Sequence, residues 1–517
     1  MADGARAGAA GEPRGHWEAV IGLEIHVQLA TRAKLFSAAP VPAPAADRRA
    51  PPAPNHHLDP VVLGLPGVLP TLNGHAVELA LRLALALEAE VQPESRFARK
   101  HYFYPDLPKG YQITQGEAPL ARGGGVWVEH EGAPYRVPLE RLHLEEDAGK
   151  SVHDAATGRT LVDFDRAGVA LVEVVTAPAI ASPALAEAVF RAVREVALAV
   201  GASHGDLERG HLRCDANVSV RRRGEAALGA KVEVKNLNSF RFVRRALAFE
   251  VARQTAALEA GERVARETRT WDDDARRTML ARQKETGRDY RYLYEPDLMP
   301  LAVDRAWVDR VRASLPELPA ARRRRLMEAW GVRREVAAAL GSTEAEAAYF
   351  EEVARGLGGQ PEDAEEAAKW LLGPLREVTT RRRRPAGEPG VPARAVVALV
   401  GAARRGTITR SVARDGLAAA GDDVGLDVAA WIAARAGQAS EDELAGAVAR
   451  ALNEHPAEVA SYRAGKDRLL GFFMGVVMRA LGGRADAGRA RDALRRALDP
   501  VRSSDEGQSS RKAGDGA

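Results

Sequence analysis

The chain has 517 residues, 46% of them hydrophobic and 28% charged, with a formal net charge of only +3. That length predicts two to four domains, each able to bury its own core, and so small a charge is weak evidence for nucleic acid even though all but ten of the 74 basic residues are arginine. The lone cysteine, Cys214, excludes an intramolecular disulfide and a cysteine-cluster zinc site; the opening residues lack a signal-peptide core and no run of about 18 apolar residues predicts a membrane helix, so a cytoplasmic chain without a membrane partner is expected.

Residues 1–16 are small and polar and read as a tail. The stretch GLEIHVQL (22–29) then alternates strictly, with Leu23, Ile25, Val27 and Leu29 on one side and Glu24, His26 and Gln28 on the other. This is the pattern of a β-strand with one buried face. Its polar face is either solvated or a place to bind a cation or a proton. The Pro/Ala-rich stretch 39–57 cannot be a central strand, and a helix is expected over 74–90. RKHYFYPDLPKGYQITQ (99–115) interleaves Tyr102, Phe103, Tyr104 and Tyr111 with Arg99, Lys100 and Lys109, in a chain that is only 5% aromatic. Such a texture stacks bases and holds phosphates, or else packs a loop onto a core.

RLHLEEDAGKS (141–151) places His143, Glu145, Glu146, Asp147 and Lys150 within a few residues of one another. Three consecutive carboxylates repel unless a cation or base neutralises them; an oxygen-rich cluster suits Mg²⁺, and the alternative is an acidic surface turn. In DFDRAGVALVEVVTAP (163–178), Glu173 interrupts an apolar strand, where a carboxylate is costly unless paired or coordinated; an edge strand with Glu173 facing water is the other reading. After a helix over 182–201, RCDANVSVR (213–221) sets Asp215 and Asn217 on alternate positions of a strand. KVEVKNL follows with Lys235, and then a helix over 239–260. RQKETGRDYRYLYEPDLMPL (282–301) repeats the aromatic–basic texture with Lys284, Arg291, Tyr290 and Tyr292.

From about residue 301 the text becomes Ala/Arg/Glu/Leu-rich with helical periodicity, and the Arg run in TTRRRRPAGEPGVP (379–392) reads as a loop between helices. The expected organisation is a tail (1–16), an α+β domain (17–300), a helical domain (301–429), a small helical tail domain (430–500) and a polar terminus (501–517). No P-loop, dinucleotide-binding glycine motif, nucleophile elbow or zinc-protease motif is present, so any use of ATP is not through a P-loop.

Together VIGLEIHVQLATRAKLFS, RKHYFYPDLPKGYQITQ, HLEEDAGKS, RAGVALVEVVTAP, LRCDANVSVR, VEVKNLNSFRFV and DYRYLYEPDLMPL resemble, in order, the signature blocks of the B subunit of the glutamyl/aspartyl-tRNA amidotransferases. The carboxy-terminal NEHPAEVASYRAGKDRLLGFFMGVVMRALGGRADAG (453–488) is similar to that family's YqeY-type tail domain, so the resemblance spans roughly 17–500. It implies a cradle-like mixed α/β kinase domain followed by a helical domain and a tail domain. It also implies a heterotrimer in which an A subunit releases ammonia from glutamine and a small C subunit straps A to B. The B subunit phosphorylates the side-chain carboxylate of Glu-tRNA(Gln) or Asp-tRNA(Asn) with ATP, and ammonia then displaces the phosphate.

By this resemblance Glu24, His26, Glu146 and Glu173 are catalytic, and His26, Glu145, Glu146 and Glu173 hold Mg²⁺. Lys100, Tyr104, Lys109, Asp215, Asn217, Lys235, Lys284 and Arg291 serve ATP and the acceptor end, while Arg463, Lys466 and Arg468 meet the tRNA body. The sequence departs from the family in two places. Many members carry a four-cysteine zinc knuckle where 37–63 has no cysteine, so no zinc is expected; His56 and His57 alone are a poor tetrahedral set. The family's usual Asn-Arg is Asp165-Arg166 here, and its usual Pro is Ala170. A non-enzymatic RNA-binding protein accounts for the aromatic–basic stretches but not for carboxylates and a histidine on separate strands. An amidase would need a serine/lysine arrangement that is missing.

Overall fold

The alternation at 22–29 belongs to a longer strand, Trp17–Gln28, in which Leu23, Ile25 and Val27 are fully buried while Glu24, His26 and Gln28 are partly exposed. A computed structural model describes residues 16–42, 53–154, 156–283, 290–384, 388–437 and 439–499. Among these, the central sheet runs in the order Arg277–Gln283, Glu267–Asp272, Val232–Lys235, Leu212–Arg222, Trp17–Gln28, Ala170–Thr176, Ala133–Glu146, Tyr111–Thr114, Ala98–His101 and Tyr292–Tyr294. Neighbours are antiparallel except Val232–Lys235 and Glu267–Asp272. That parallel pair is bridged by the helix Phe240–Glu259, the crossover a parallel connection needs.

Three helices share a core with the apolar sides of these strands: Gly74–Ala86, Pro183–Ala199 and Phe240–Glu259. Each starts where the sequence supplies a cap. The side chains of Asn73, Ser182 and Ser239 accept from the backbone N–H groups of His75, Leu185 and Phe242, respectively, which satisfies donors the first turn cannot pair internally. Val189, Phe190, Val193, Val243, Leu247 and Val251 from the helices join Ile25, Val27, Val172, Val174, Cys214 and Val218 from the strands. Each large side chain buried this way contributes about 1.5–3 kcal/mol. Because side chains alternate along a strand, covering one side with helices leaves a polar face on the other, made by the same residues' neighbours.

Two compact units divide at Ala320 and Ala321. The first extends past residue 301: Leu301–Ala302 pairs with Glu94–Ser95, and Trp307, Val308 and Val311 of the helix Arg305–Ala313 pack into the first unit's core. The second unit is helical among its described residues and holds two apolar clusters. One joins residues from Leu326 to Ala420 and the other joins Ala439 to Leu498. Within it Leu371–Leu375 forms a π-helical turn around Pro374; proline has no N–H to give to the preceding turn, and the widened register accommodates its ring. No helix among the described residues is long and apolar enough to cross a membrane.

Candidate active site

The polar face carries two adjoining groups of charged residues, set by strand register. His26 lies opposite Glu173, and Glu173 lies opposite His143 on the next strand. Glu145 follows His143 by two residues and so shares its face. The four side chains meet: His26 Nε2 is 3.4 Å from Glu145 and 3.5 Å from Glu173, and His143 Nε2 is 3.6 and 3.3 Å from the same two carboxylates. His26, Glu145 and Glu173 each offer one ligand atom, all within 4.8 Å of one another. Two carboxylates and an imidazole suit a divalent cation.

Charge balance explains how these groups coexist. Burial alone would lower both histidine pKa values, but Glu173 and Glu145 outweigh it and raise His26 and His143 to about 9. In return, although burial disfavours their charge, the two imidazoles hold Glu173 well below and Glu145 below the usual carboxylate range. Without a cation these are opposed charges on three neighbouring strands; a divalent cation would take the place of the His26 proton, because only the neutral imidazole can be a ligand. His143 is a member to which the acidic run in the sequence assigns no role; its spacing from Glu145 was the available signal.

Glu146 does not enter this group. Consecutive strand residues point to opposite faces, so Glu146 turns away, pairs with Lys109 and accepts the Ile113 N–H at 2.9 Å. The run Glu145–Asp147 is no surface turn: all three residues are buried, and Asp147 is held by Arg213 at 2.7 Å and Arg166 at 3.4 Å. Nor is Glu173 on an edge strand, since Ala170–Thr176 lies between Trp17–Gln28 and Ala133–Glu146.

One pleat along, about 7 Å away by strand geometry, Glu24 lies opposite Asp215. Glu24 accepts from Asn217 Nδ2 at 2.7 Å, and Lys235 Nζ bridges Asp215 at 2.7 Å and Glu233 at 2.8 Å. These carboxylates outweigh burial and push the Lys235 pKa up, so it remains a cation. Lys100 stands 4.9 Å from the Tyr290 ring centre and 6.0 Å from that of Tyr102, and its pKa is raised against burial, chiefly by Glu145. Tyr104 is exposed and lies 5.7 Å from Tyr102 ring to ring. Arg291 is exposed, and its carbonyl accepts His101 Nδ1–H at 2.6 Å. Lys284 lies outside the described residues. In the second unit Arg463, Lys466 and Arg468 are exposed, with Arg463 Nε donating to Leu498 O at 3.1 Å.

Residues 19–309 match the family description "GatB/GatE catalytic domain", and residues 348–498 match "GatB domain". The chain is 43% identical over 495 residues to the B subunit of the aspartyl/glutamyl-tRNA(Asn/Gln) amidotransferase of Anaeromyxobacter dehalogenans strain 2CP-1, covering 94% of this chain and 99% of the relative. The chain belongs to the GatB family. A protein of the same name from Halorhodospira halophila is 43% identical over 93% of this chain and 99% of its own length. The one from Thermodesulfovibrio yellowstonii is 40% identical over 91% and 97%. The GatB catalytic-domain match contains every member of both charged groups, His26, His143, Glu145, Glu173, Glu24, Asp215, Asn217, Glu233 and Lys235.

Lys34 is fully buried, and among the described residues its Nζ has no hydrogen-bond partner. Burial lowers its pKa from 10.5 to about 8, offset only in part by Asp165, Asp59 and Glu146. The unfolded chain thus binds this proton more tightly, so the ammonium opposes folding below about pH 8 and that opposition fades as pH rises towards 10.5. Lys34→Met should raise the Tm at pH 7, and the gain over the parent should shrink by pH 10; a gain that grows with pH would refute the assignment.

Proposed function

We propose that this chain is the B subunit of a tRNA-dependent amidotransferase and activates the side-chain carboxylate of Glu-tRNA(Gln) or Asp-tRNA(Asn) with ATP. A carboxylate oxygen attacks the γ-phosphorus of ATP and the bond to the β-phosphate oxygen breaks, releasing ADP. Ammonia then attacks the acyl carbon, the bond to the phosphate oxygen breaks, and phosphate leaves. The convergence of His26, Glu145 and Glu173, on the polar side of three neighbouring strands, carries this reading. These three residues would hold Mg²⁺, which when bound offsets the charge of two anions brought together. Lys100 and Lys235 supply cations that can orient phosphates, whereas Lys109 is taken up by Glu146, and the exposed Tyr104 gives a surface on which a terminal base can stack. Glu24 and Asp215 keep Asn217 and Lys235 in place beside the site. No zinc is assigned a role.

That the relatives are named as B subunits supports the existence of partners: a glutaminase A subunit that supplies ammonia and a C subunit that completes a heterotrimer. The assay is direct. The assembled complex should convert misacylated tRNA to its amide with one ADP and one phosphate per turnover, and should not split ATP without misacylated tRNA. Amide formation without ATP consumption would overturn the reading.

The tail domain is assigned to the tRNA body, through phosphate contacts that carry no sequence information. Lys466→Ala with Arg468→Ala should raise the KM for tRNA about tenfold at physiological salt, flatten the dependence of binding on salt by about two phosphate contacts, and leave kcat unchanged. An unchanged KM with a collapsed kcat would place the tail in the chemistry instead.

A further inference from the structure

Arg213 crosses the polar face of the sheet beside His26. It lies opposite His26 in the register of the neighbouring strand. Its spacing of two from Asp215, like that of His26 from Glu24, puts these side chains on one face, and directly opposite residues stand about 5 Å apart between Cβ atoms. Its partner Asp147 follows the strand Ala133–Glu146, and two strands, Trp17–Gln28 and Ala170–Thr176, lie between. Three inter-strand steps make about 14 Å, yet Arg213 Nη2 donates to Asp147 Oδ2 at 2.7 Å. Both side chains are therefore extended along the face, and Arg213 runs past His26 towards Glu145. The charges agree with this path. Burial alone would lower the Arg213 pKa, but Asp147, then Glu145 and Asp215, raise it, and Arg213 in turn opposes the protonation of His26.

Asp147 anchors this bar at its far end. Its Oδ1 accepts the Ala148 N–H at 2.9 Å, and its Oδ2 meets both Arg213 and, at 3.4 Å, Arg166. Arg166 is spent on the same turn, donating to the carbonyls of Ala148 (3.0 Å) and Gly149 (2.6 Å). One carboxylate thus answers two guanidiniums, which leaves positive charge for an anion. Arg213 keeps 26% of its side chain exposed against 5% for Asp147, and of the five N–H donors of a guanidinium the bond to Asp147 uses one.

We propose that Arg213 is a catalytic residue of the activation step, its guanidinium donating to the non-bridging oxygens of the γ-phosphoryl group of ATP as that group passes to the aminoacyl carboxylate. The inference rests on the phosphoryl-transfer reading above, and the place of Arg213 beside His26 and Glu145 is what assigns it to the reacting group. The carboxylate oxygen bonds to phosphorus while the bond to the β-phosphate oxygen breaks, and charge spreads over the three equatorial oxygens. A planar fork matches two of these oxygens at once, which an ammonium does not. Asp147 fixes the fork before substrate arrives, so little reorganisation accompanies the reaction. Arg213 supplies hydrogen bonds only; no proton moves to or from it.

The test uses the full-length chain in its assembled complex with misacylated tRNA, and follows ADP release by the parent, Arg213→Lys and Arg213→Ala. Arg213→Ala should lower kcat about 1,000-fold, the lower end of what an arginine at a transferring phosphoryl group supplies, and should change the KM for ATP less than about threefold. Arg213→Lys keeps the charge but loses the fork, and should recover only part of the loss. Two readouts separate this role from a structural ion pair. Millimolar guanidinium chloride should raise the rate of Arg213→Ala at least about tenfold, and methylammonium chloride should not. ADP with aluminium fluoride, a mimic of the transferring group, should bind the parent at least about 100-fold more tightly than ADP alone and lose most of that advantage in Arg213→Lys. A raised KM for ATP with an unchanged kcat would overturn the inference, as would a slowed Arg213→Ala that guanidinium does not rescue and that still binds the fluoride complex tightly. Full kcat in Arg213→Lys, with a parent that splits ATP, removes the inference and leaves the proposed function standing; a parent that splits no ATP removes both. Should Arg213→Ala not fold, Arg213→Lys, which still answers Asp147 with a cation, decides by its kcat and its fluoride complex.

Discussion

Glu173→Gln is expected to lower tRNA-dependent amidation at least about 100-fold, the loss that follows removal of one charge contact to a transition state. The substitution keeps the shape of the side chain and removes only its charge. Glu173 is the centre of the group: both His26 and His143 face it across neighbouring strands, at 3.5 and 3.3 Å. With glutamine there, two carboxylates and an imidazole become one carboxylate and an imidazole, a poorer set for a hard divalent cation. Activity with free ammonia should fall equally, because activation of the carboxylate comes before nitrogen is used. Glu145→Gln should behave alike. Glu146→Gln should act differently and lower the rate far less, since Glu146 pairs with Lys109 and does not join that group. A Glu173→Gln enzyme with full rate at limiting Mg²⁺ would remove Glu173 from the site.

The largest stability effect should come from Glu250→Leu. Glu250 is fully buried in the helix Phe240–Glu259, where it accepts from Arg253 (2.6 and 3.1 Å), Gln254 Nε2 (3.0 Å) and Thr278 Oγ1 (2.9 Å), with Arg269 at 3.6 Å. Removing it leaves the two guanidiniums with Glu267 as their shared carboxylate. Breaking a buried charged network from one side costs about 3–5 kcal/mol, and the Tm should fall by roughly 10 °C. Glu250→Gln keeps the shape and one acceptor oxygen but turns an NH2 towards donors, so it should cost less than Glu250→Leu without being neutral. Calorimetry checks both, and an unaltered Tm in Glu250→Leu would mean the network contributes nothing net.

The strand at 22–29 was fully legible because its period is 2 and its apolar face is unbroken. The two charged groups were legible only through the resemblance. His26 and Glu173 are opposite each other because distant strands pair, and no local pattern states that pairing. Glu146 shows how the acidic run misleads: three successive acids invite one shared cation, yet a strand sends neighbours to opposite sides. The same period of 2 would have grouped His143 with Glu145. Glu250 was illegible, since a glutamate in a helix rich in Arg and Ala looks like an ordinary solvated residue until Glu267–Asp272 and Arg277–Gln283 are placed over it. The His57–Asp165 contact likewise needs two segments brought together across about a hundred residues of chain.

If this chain activates a carboxylate by phosphoryl transfer before any nitrogen arrives, the activated side chain can be trapped. The assembled complex should be given misacylated tRNA and ATP labelled in its γ-phosphate, with glutamine and ammonia withheld and hydroxylamine added as a trap. ADP should form, label should pass to the aminoacyl side chain and leave as inorganic phosphate when hydroxylamine displaces it, and a side-chain hydroxamate should remain on the tRNA, all absent in Glu173→Gln. Label that stays on ATP or leaves as pyrophosphate with AMP, while glutamine still drives amidation when restored, would contradict activation by phosphoryl transfer.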